Sequence, residues 1–221
     1  MKAFILDRYG SADRVRAGEM PEPELREDDV LVQIRAAGVN LLDSKIRSGE
    51  FKLILRYRLP LILGHDVAGV VVRVGSRVRR FKPDDEVYAR PADGRIGAFA
   101  EFIAIKEDDV AMKPTALTMA EAASIPLVGL TAWQVLIERA KLKPGQKVLI
   151  HAGSGGVGTF AIQLAKHAGV DGILEVFNLL NHANYGSYVT AESNSNYGKP
   201  SSNTNVAYQP RMLQLGFRAT F

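Results

Sequence analysis

The sequence predicts a mainly β domain, followed by the beginning of an α/β domain and an irregular, partly β tail. Short apolar and β-branched runs, separated by Gly, Pro and Asp, fill the chain up to about residue 115. A strand, a glycine-rich loop and an amphipathic helix then follow one another over residues 147–166. After Gly172 the composition changes abruptly to Asn, Ser, Tyr and Gly. The chain therefore divides into segments 1–115, 116–171 and 172–221.

The first segment is predicted to be a compact β unit. Its expected strands are Lys2–Asp7, Asp29–Ala37, Asp66–Val74, Asp85–Arg90 and Ala98–Ile105. One helix is predicted within it at Leu41–Ser48, because Asn40 is a suitable N-cap and Gly49 a suitable stop.

The second segment contains linker helices and one βα unit. Apolar residues recur at helical spacing from Thr118 to Ala140, and we expect Pro126 and Gly129 to break this helix in two. A strand is predicted at Lys147–His151, and the helix after the glycine loop runs through Lys166. No further parallel strand is predicted, so the α/β domain is expected to be incomplete.

The third segment does not read as a continuation of that domain. Its Asn- and Ser-rich sequence lacks the long Val, Ile and Leu runs of parallel sheets. Its last residues alternate, with Leu213, Leu215, Phe217, Ala219 and Phe221 on one side. This pattern predicts a strand with one apolar face.

Composition excludes several classes of function. The formal charge of +4 arises from scattered Lys and Arg without the long basic runs of a nucleic-acid surface. The chain has no cysteine, which excludes disulfides, thiolate metal sites and a cysteine nucleophile. Because no secretory signal or long apolar stretch is present, we expect a cytoplasmic protein without a membrane or nucleic-acid partner.

The glycine loop is the first feature that suggests a ligand. Gly153, Gly155 and Gly158 form a GxGxxG motif directly between a strand and a helix. Such a loop lets the backbone approach a pyrophosphate while the helix N-terminus offers free N–H groups. The alternative is a tight strand-to-helix turn without a ligand. The candidate cofactor-binding residues are Gly153, Ser154, Gly155, Gly156, Val157 and Gly158.

Four motifs carry a specific resemblance. They are GVNLLDSKIRSG from Gly38, LPLILGHDVAGVV from Leu59, IPLVGLTAWQVL from Ile125 and AGSGGVGTFAIQLAKHAG from Ala152. Over about residues 1–170 the chain resembles the medium-chain dehydrogenase/reductase superfamily, and within it the zinc-independent quinone oxidoreductases and alkenal reductases. The resemblance implies a GroES-like β domain followed by a Rossmann domain. It also implies NADPH-dependent hydride transfer to a quinone or an α,β-unsaturated carbonyl compound, and it allows a homodimer.

The resemblance also bears on metal binding. Zinc alcohol dehydrogenases of this superfamily carry Cys at the place of Asn40 and His at the place of His65. One imidazole without thiolate partners does not make a catalytic zinc site, so no metal is expected. His65 is interpreted as a hydrogen-bonded structural residue, with a role in proton transfer as the alternative.

The motifs further suggest which residues act on the substrate and cofactor. The resemblance places Asn40 and Lys45 beside the substrate as candidate catalytic residues, since a developing oxyanion needs a donor beside it. A helix cap and a solvated surface lysine are their respective alternatives. Thr131 matches a position that contacts the nicotinamide end of the cofactor, or else it is simply packed in its helix. Asp84 stands where relatives usually have a glycine turn.

The tail carries a different resemblance. EVFNLLNHANYG, the polar loop and the closing aromatic residue are similar to the end of TonB-dependent outer-membrane receptors. A membrane barrel needs about eight strands or more, which this chain does not offer. We therefore expect a truncated reductase joined to an unrelated segment. Three hypotheses stay open: an NADPH-dependent reductase, a non-catalytic remnant with a folded GroES-like domain, and an outer-membrane receptor fragment.

Overall fold

The structure is a computed structural model that describes residues 1–170 and the strand segments 172–177, 187–188, 200–201 and 212–216. The chain divides into two compact units, Met1–Leu130 and Thr131–Phe221. None of the helices in these described residues is both long and apolar enough to cross a bilayer.

The first unit is built from two antiparallel sheets. Its strands are β1 (Lys2–Leu6), β2 (Val15–Glu19), β3 (Asp29–Gly38), β4 (Leu61–Ile62), β5 (Asp66–Val74), β6 (Glu86–Ala89), β7 (Phe102–Lys106) and β8 (Val110–Met112). A five-stranded sheet has the order β7-β3-β5-β6-β8, and a three-stranded sheet has the order β2-β1-β4. The predicted mainly β domain is confirmed. The strand predicted from Ala98 begins only at Phe102, and β2, β4 and β8 had not been predicted.

Alternating side chains of the larger sheet form the main core of this unit. Val30 and Val32 of β3 pack with Val67 and Val71 of β5 in one buried cluster. In a strand, residues two apart face the same side, so this spacing places all four in the core. Burial of such aliphatic side chains contributes about 1.5–3 kcal/mol each.

Helix α1 (Leu41–Ser48) follows strand β3 and precedes strand β4 in the sequence, and its bounds agree with the prediction. The backbone N–H of Asn40 donates to Asp43 Oδ2 at 2.9 Å, which satisfies one free backbone group at the helix start. Gly49 ends the helix with φ 87°, a left-handed conformation that glycine adopts without a Cβ penalty. Ile46 anchors the helix in a small buried cluster with Leu6 and Leu63.

The helical stretch after β8 is divided differently from the prediction. Helix α2 covers Met119–Ala123, helix α3 covers Pro126–Trp133, and a π-helical segment covers Gln134–Arg139. Pro126 begins α3, where its missing N–H costs nothing. The predicted break at Gly129 is wrong, because Gly129 lies inside α3 and its N–H donates to the Ile125 carbonyl at 2.7 Å. An interior glycine costs a helix only about 1 kcal/mol, so it need not interrupt one.

The second unit begins with the predicted βα arrangement. Strand β9 covers Lys147–His151, and helix α4 covers Gly156–His167. A small buried cluster holds the unit together and consists of Ala132, Leu136, Ile150, Ala161 and Ala165. The predicted start of an α/β domain is therefore confirmed.

A second parallel strand follows, contrary to the prediction. Strand β10 (Gly172–Phe177) pairs in parallel with β9, with Gly172 opposite Lys147 and Val176 opposite His151. The expectation that no parallel strand exists after the glycine loop is wrong. The run GILEVF is apolar and β-branched enough for a strand, but it is short and leads directly into Asn-rich sequence, which obscured it.

Three further short strands lie in the last segment. Strands β11 (Ser187–Tyr188) and β12 (Pro200–Ser201) pair with each other, and β13 (Met212–Gly216) pairs antiparallel with β10. The second sheet thus has the order β13-β10-β9. The predicted closing strand is confirmed over Met212–Gly216, whereas the side chains of its predicted apolar face and residues 217–221 lie outside the described residues.

Candidate functional site

Asn40 is held by a buried carboxylate at the start of α1. Its side-chain Nδ2 donates to Asp66 Oδ2 at 2.9 Å. Asp66 is the first residue of β5 and is only 1 % exposed. The second oxygen of Asp66, Oδ1, accepts the Leu127 N–H at 2.8 Å in the first turn of α3. The carboxylate of Asp66 therefore joins α1, β5 and α3.

A second buried carboxylate holds His65. His65 Nδ1 lies 2.6 Å from Asp43 Oδ1, and both side chains are buried. The Gly64 N–H donates to the same oxygen at 3.1 Å. His65 Nε2 is buried and has no hydrogen-bond partner among the described residues. The hydrogen bond to Asp43 is what the structural interpretation of His65 expects.

The environment of Asp66 shifts its titration. Burial raises the pKa of the Asp66 carboxyl above its ordinary value, although the N–H groups of Asn40 and Leu127 act to lower it. The neighbouring Asp43 carboxylate adds to the rise. The two N–H groups donate to different oxygens of Asp66, and the ionised carboxylate offers an acceptor at each.

Lys45 has a different setting on the same helix. Its ammonium lies 3.5 Å from Glu50 Oε2 and 6.0 Å from the centroid of the Phe51 ring. The side chain is 41 % exposed. Lys45 therefore has local surface partners, while Asn40 is tied to the buried carboxylate of Asp66.

The described residues contain no group of three or more His, Asp or Glu side chains arranged to hold a metal ion. The whole sequence also contains no cysteine. The side-chain oxygens around Asn40 are instead satisfied by N–H groups of the chain.

The glycine loop of the second unit depends on backbone geometry. Ala152, directly after β9, has φ 54°, a left-handed conformation that is uncommon for alanine. Its carbonyl accepts the Gly155 N–H at 2.9 Å. A Cβ added at Gly158 would lie 2.3 Å from the Ala152 oxygen and 2.7 Å from Gly153 Cα. Only glycine at position 158 lets the helix pass this close to the loop.

The loop leads directly into the N-terminus of α4. Gly155 precedes the helix in an extended conformation, and Gly156 and Val157 form its exposed first turn. The first N–H groups of a helix have no intrahelical partner and carry partial positive charge. Together with the exposed Ser154, these groups can bind an anionic phosphate.

The predicted site residues thus fall on both units. Asn40 and Lys45 belong to the first unit, and the glycine loop belongs to the second. Thr131 lies near the end of α3 and is exposed. The roles assigned to these residues stay predictions.

Asp43 and Asp66 were not predicted as site residues. A signal for Asp66 was present, because it opens the apolar run DVAGVV, and a charge at the start of a buried strand needs partners. Asp43 lies three residues after Asn40, a position where an acidic side chain reaches back to the first amide of a helix.

Asp84 occupies a turn in the left-handed conformation, with φ 74°. This conformation suits the turn at which the resemblance places a glycine in relatives, because an aspartate side chain accepts left-handed backbone more readily than most residues.

The chain has clear relatives. Residues 26–115 match the alcohol dehydrogenase GroES-like domain. The 2-methylene-furan-3-one reductase of Solanum lycopersicum is 44% identical over 174 residues, which cover 76% of this chain and 44% of that protein. The chloroplastic NADPH-dependent alkenal/one oxidoreductase of Arabidopsis thaliana is 41% identical, over 76% of this chain and 45% of that protein. The chain spans about half the length of the curated relatives it matches.

The fold has solved relatives as well. The quinone oxidoreductase of Coxiella burnetii superposes with a TM-score of 0.73 at 36% sequence identity, over 82% of this chain and 58% of that structure. The fold and motifs together define a GroES-like domain followed by the start of a Rossmann-like α/β domain. Over about three quarters of its length the chain is similar to quinone oxidoreductases and alkenal/one oxidoreductases, in agreement with the predicted resemblance to the medium-chain dehydrogenase/reductase superfamily.

These relatives do not support the resemblance predicted for the tail. The matches above cover about three quarters of the chain and give no support to a likeness with outer-membrane receptors. Apart from its short strands, the tail lies outside the described residues.

Proposed function

We propose that this protein contributes to NADPH-dependent reduction of quinones or α,β-unsaturated carbonyl compounds. The observation that carries the proposal is the β9–loop–α4 arrangement, in which Gly158 allows close passage of the helix. It stands in a chain related to an NADPH-dependent alkenal/one oxidoreductase and to a quinone oxidoreductase.

The residues present fit a dinucleotide. The absence of a Cβ at Gly158 leaves room for the loop to fold tightly against the helix. The exposed first turn of α4 provides N–H donors for a pyrophosphate, and its dipole favours negative charge. A nicotinamide cofactor held by these residues would supply the hydride, and a proton from water would complete the two-electron reduction of the substrate.

The roles of the side chains follow from this assignment. Residues Gly153–Gly158 bind the pyrophosphate, and Thr131 contacts the nicotinamide end. Asn40 and Lys45 donate hydrogen bonds to the substrate oxygen, where negative charge develops as the hydride arrives. The chain's contribution to the reaction is thus to orient the reactants and polarise the oxygen.

Calorimetric titration of the full chain with NADPH tests the nucleotide site. In the Gly156→Asp variant a carboxylate occupies the first turn of α4, where it suits the helix dipole but repels phosphate. We expect the variant to fold and to bind NADPH at least about tenfold more weakly. Gly94→Asp is the matched control, since a Cβ at Gly94 meets nothing within 4 Å and lies in the first unit.

The outcomes separate the open hypotheses. Binding that weakens only in Gly156→Asp supports the nucleotide site, and NADPH oxidation with added quinone or enone then tests the reaction. If the folded full chain does not bind NADPH, the proposal is wrong and the non-catalytic alternative stands. A cytoplasmic location and a homodimer stay predictions, and one relative is named as chloroplastic.

A further inference from the structure

Asp66 is a buried charged residue whose hydrogen bonds join three elements of the first unit, α1, β5 and α3. We propose that Asp66 is a positioning residue, which fixes the orientation of the Asn40 carboxamide so that one N–H group points to the substrate oxygen. The proposal rests on the proposed function for the role of Asn40. The fixed orientation itself rests on the contacts of Asp66.

The orientation of the Asn40 amide follows from its partner. An ionised carboxylate only accepts hydrogen bonds, so the group that lies 2.9 Å from Asp66 Oδ2 must be the Asn40 NH₂. This contact leaves the second N–H of the same amide for another partner, while the carboxamide oxygen faces the Asp43 backbone N–H in the capping box at the start of α1. A rotation by 180° about the last side-chain bond would exchange NH₂ and oxygen and would set two acceptors against each other.

Asp66 is itself held on two sides. Its Oδ1 accepts the Leu127 N–H at 2.8 Å, so the carboxylate cannot turn without breaking that bond. Gly38 passes so close that an added Cβ would lie 2.9 Å from Asp66 Cβ and 2.6 Å from the Ala123 carbonyl oxygen. The side chain is 1 % exposed. Packing and hydrogen bonding therefore keep Asp66 in one position, and Asp66 in turn keeps the Asn40 amide in one position.

This arrangement affects the proposed reaction through geometry. A substrate oxygen that gains negative charge needs an N–H donor, and an inverted amide would present its oxygen instead. Without Asp66 the Asn40 amide loses the acceptor that favours one orientation over the other. Asp66 thus acts on the reaction through Asn40 and does not contact the substrate.

The variant Asp66→Asn tests the proposal. The Asn40 and Leu127 N–H groups contact different oxygens of Asp66, so the one oxygen of the substituted amide can face only one of them, and its NH₂ group then faces the other donor. We expect kcat for enone reduction to fall at least about tenfold, with the KM for NADPH unchanged. Asn40→Ala should cause a similar loss, and the double variant should lose no more than either single variant. Asp7→Asn, at an exposed aspartate paired with Arg16, is the control and should keep the wild-type kcat.

A readout independent of activity is the side-chain amide signal of Asn40 in ¹⁵N-resolved NMR spectra, assigned by its loss in Asn40→Ala. In the wild-type chain we expect its two protons to give separate signals, with one protected from solvent exchange relative to free asparagine. This protection should persist in Asp7→Asn and disappear in Asp66→Asn.

The results distinguish the two proposals. If the wild-type amide exchanges as fast as free asparagine, the positioning role is wrong, even if Asp66→Asn fails to fold. If the amide is protected but the wild-type chain reduces neither enones nor quinones, the proposed function fails while the fixed amide stands. Additive losses of kcat in the double variant would also contradict the positioning role.

Discussion

The two units of this protein build their candidate sites from different parts of the polypeptide. In the first unit, buried side chains make the arrangement, and Asp43, His65 and Asp66 are joined to their neighbours by hydrogen bonds. In the second unit the shape of the glycine loop depends on its backbone conformation and on the absence of a Cβ at Gly158. Substitutions in the first unit should therefore act through lost partners, and substitutions in the loop through steric conflict.

The difference has a physical origin. A buried charge is unfavourable unless it is paired, so each buried carboxylate of the first unit has donors close by. A phosphate-binding loop needs accessible N–H groups, which side chains would cover. Variants of each kind can test whether this contrast holds.

The largest effect is expected for Asp29→Asn in the first unit. Asp29 is fully buried, and Arg95 Nη1 donates to its Oδ1 at 2.7 Å. Removing one partner of such a pair leaves the other charge uncompensated, so we expect unfolding free energy to fall by about 3 kcal/mol. Urea denaturation monitors the change, with Asp7→Asn as the exposed control, which should lose less than about 1 kcal/mol. Equal losses in both variants would contradict the role given to burial.

The next effect is expected for Gly158→Ala in the second unit. The added methyl group would lie 2.3 Å from the Ala152 carbonyl oxygen, so the backbone must move. Overpacking of this kind costs about 1–3 kcal/mol, and NADPH binding should be lost with it. Thermal unfolding and calorimetry measure the two effects, and Gly94→Ala provides the control in open space. Wild-type binding by Gly158→Ala would mean that close passage of α4 is not required.

A smaller effect of opposite sign is expected for Ala152→Gly. Alanine at φ 54° carries backbone strain of about 1–2 kcal/mol, which glycine relieves, while glycine adds entropy to the unfolded chain. The net result should be a gain in stability of less than about 1 kcal/mol. Asp84→Gly, at φ 74° in the first unit, is the comparison in thermal unfolding. A clear loss of stability in Ala152→Gly would indicate that the methyl group makes packing contacts.

The smallest effect concerns pH. Burial alone raises the pKa of Asp29, but hydrogen bonds from Arg95 and the Arg26 amide outweigh it, so the pKa lies below 3.8. Its contribution to stability is present above the unfolded value and is lost as pH falls through the folded pKa. Asp66 has the opposite sign, since burial raises its pKa above 3.8. Its contribution to stability is present below the unfolded pKa and is lost as pH rises through the higher folded pKa.

Unfolding free energies measured across the acid range test both signs. The Asp29→Asn variant should lose part of the wild-type decline in stability below about pH 4. The Asp66→Asn variant should lack the part of the wild-type decline in stability that occurs as pH rises above about 4, through the folded pKa of Asp66. Identical pH profiles for the wild type and both variants would show that neither carboxyl group titrates differently in the folded protein.

Much of the local structure could be predicted from the sequence, because it depends on neighbouring residues. Alternating apolar residues defined β3 and β5, and Asn40 and Gly49 marked the ends of α1. Strand β2 and strand β8 were missed because each is short and lacks a clean alternation. Strand β10 was missed because it has only six residues and the Asn-rich sequence that follows it is not typical of a parallel sheet.

The sequence by itself determined the resemblance to the superfamily, the strand-to-helix turn at the glycine loop and the lack of thiolate ligands, since each depends on residue types and not on how distant segments pack. Only the tertiary structure decided which groups meet across the chain. Asp66 contacts Asn40 and Leu127 from positions 26 and 61 residues away. Such contacts depend on how strands and helices pack, and no local pattern encodes the distance between two side chains brought together by that packing.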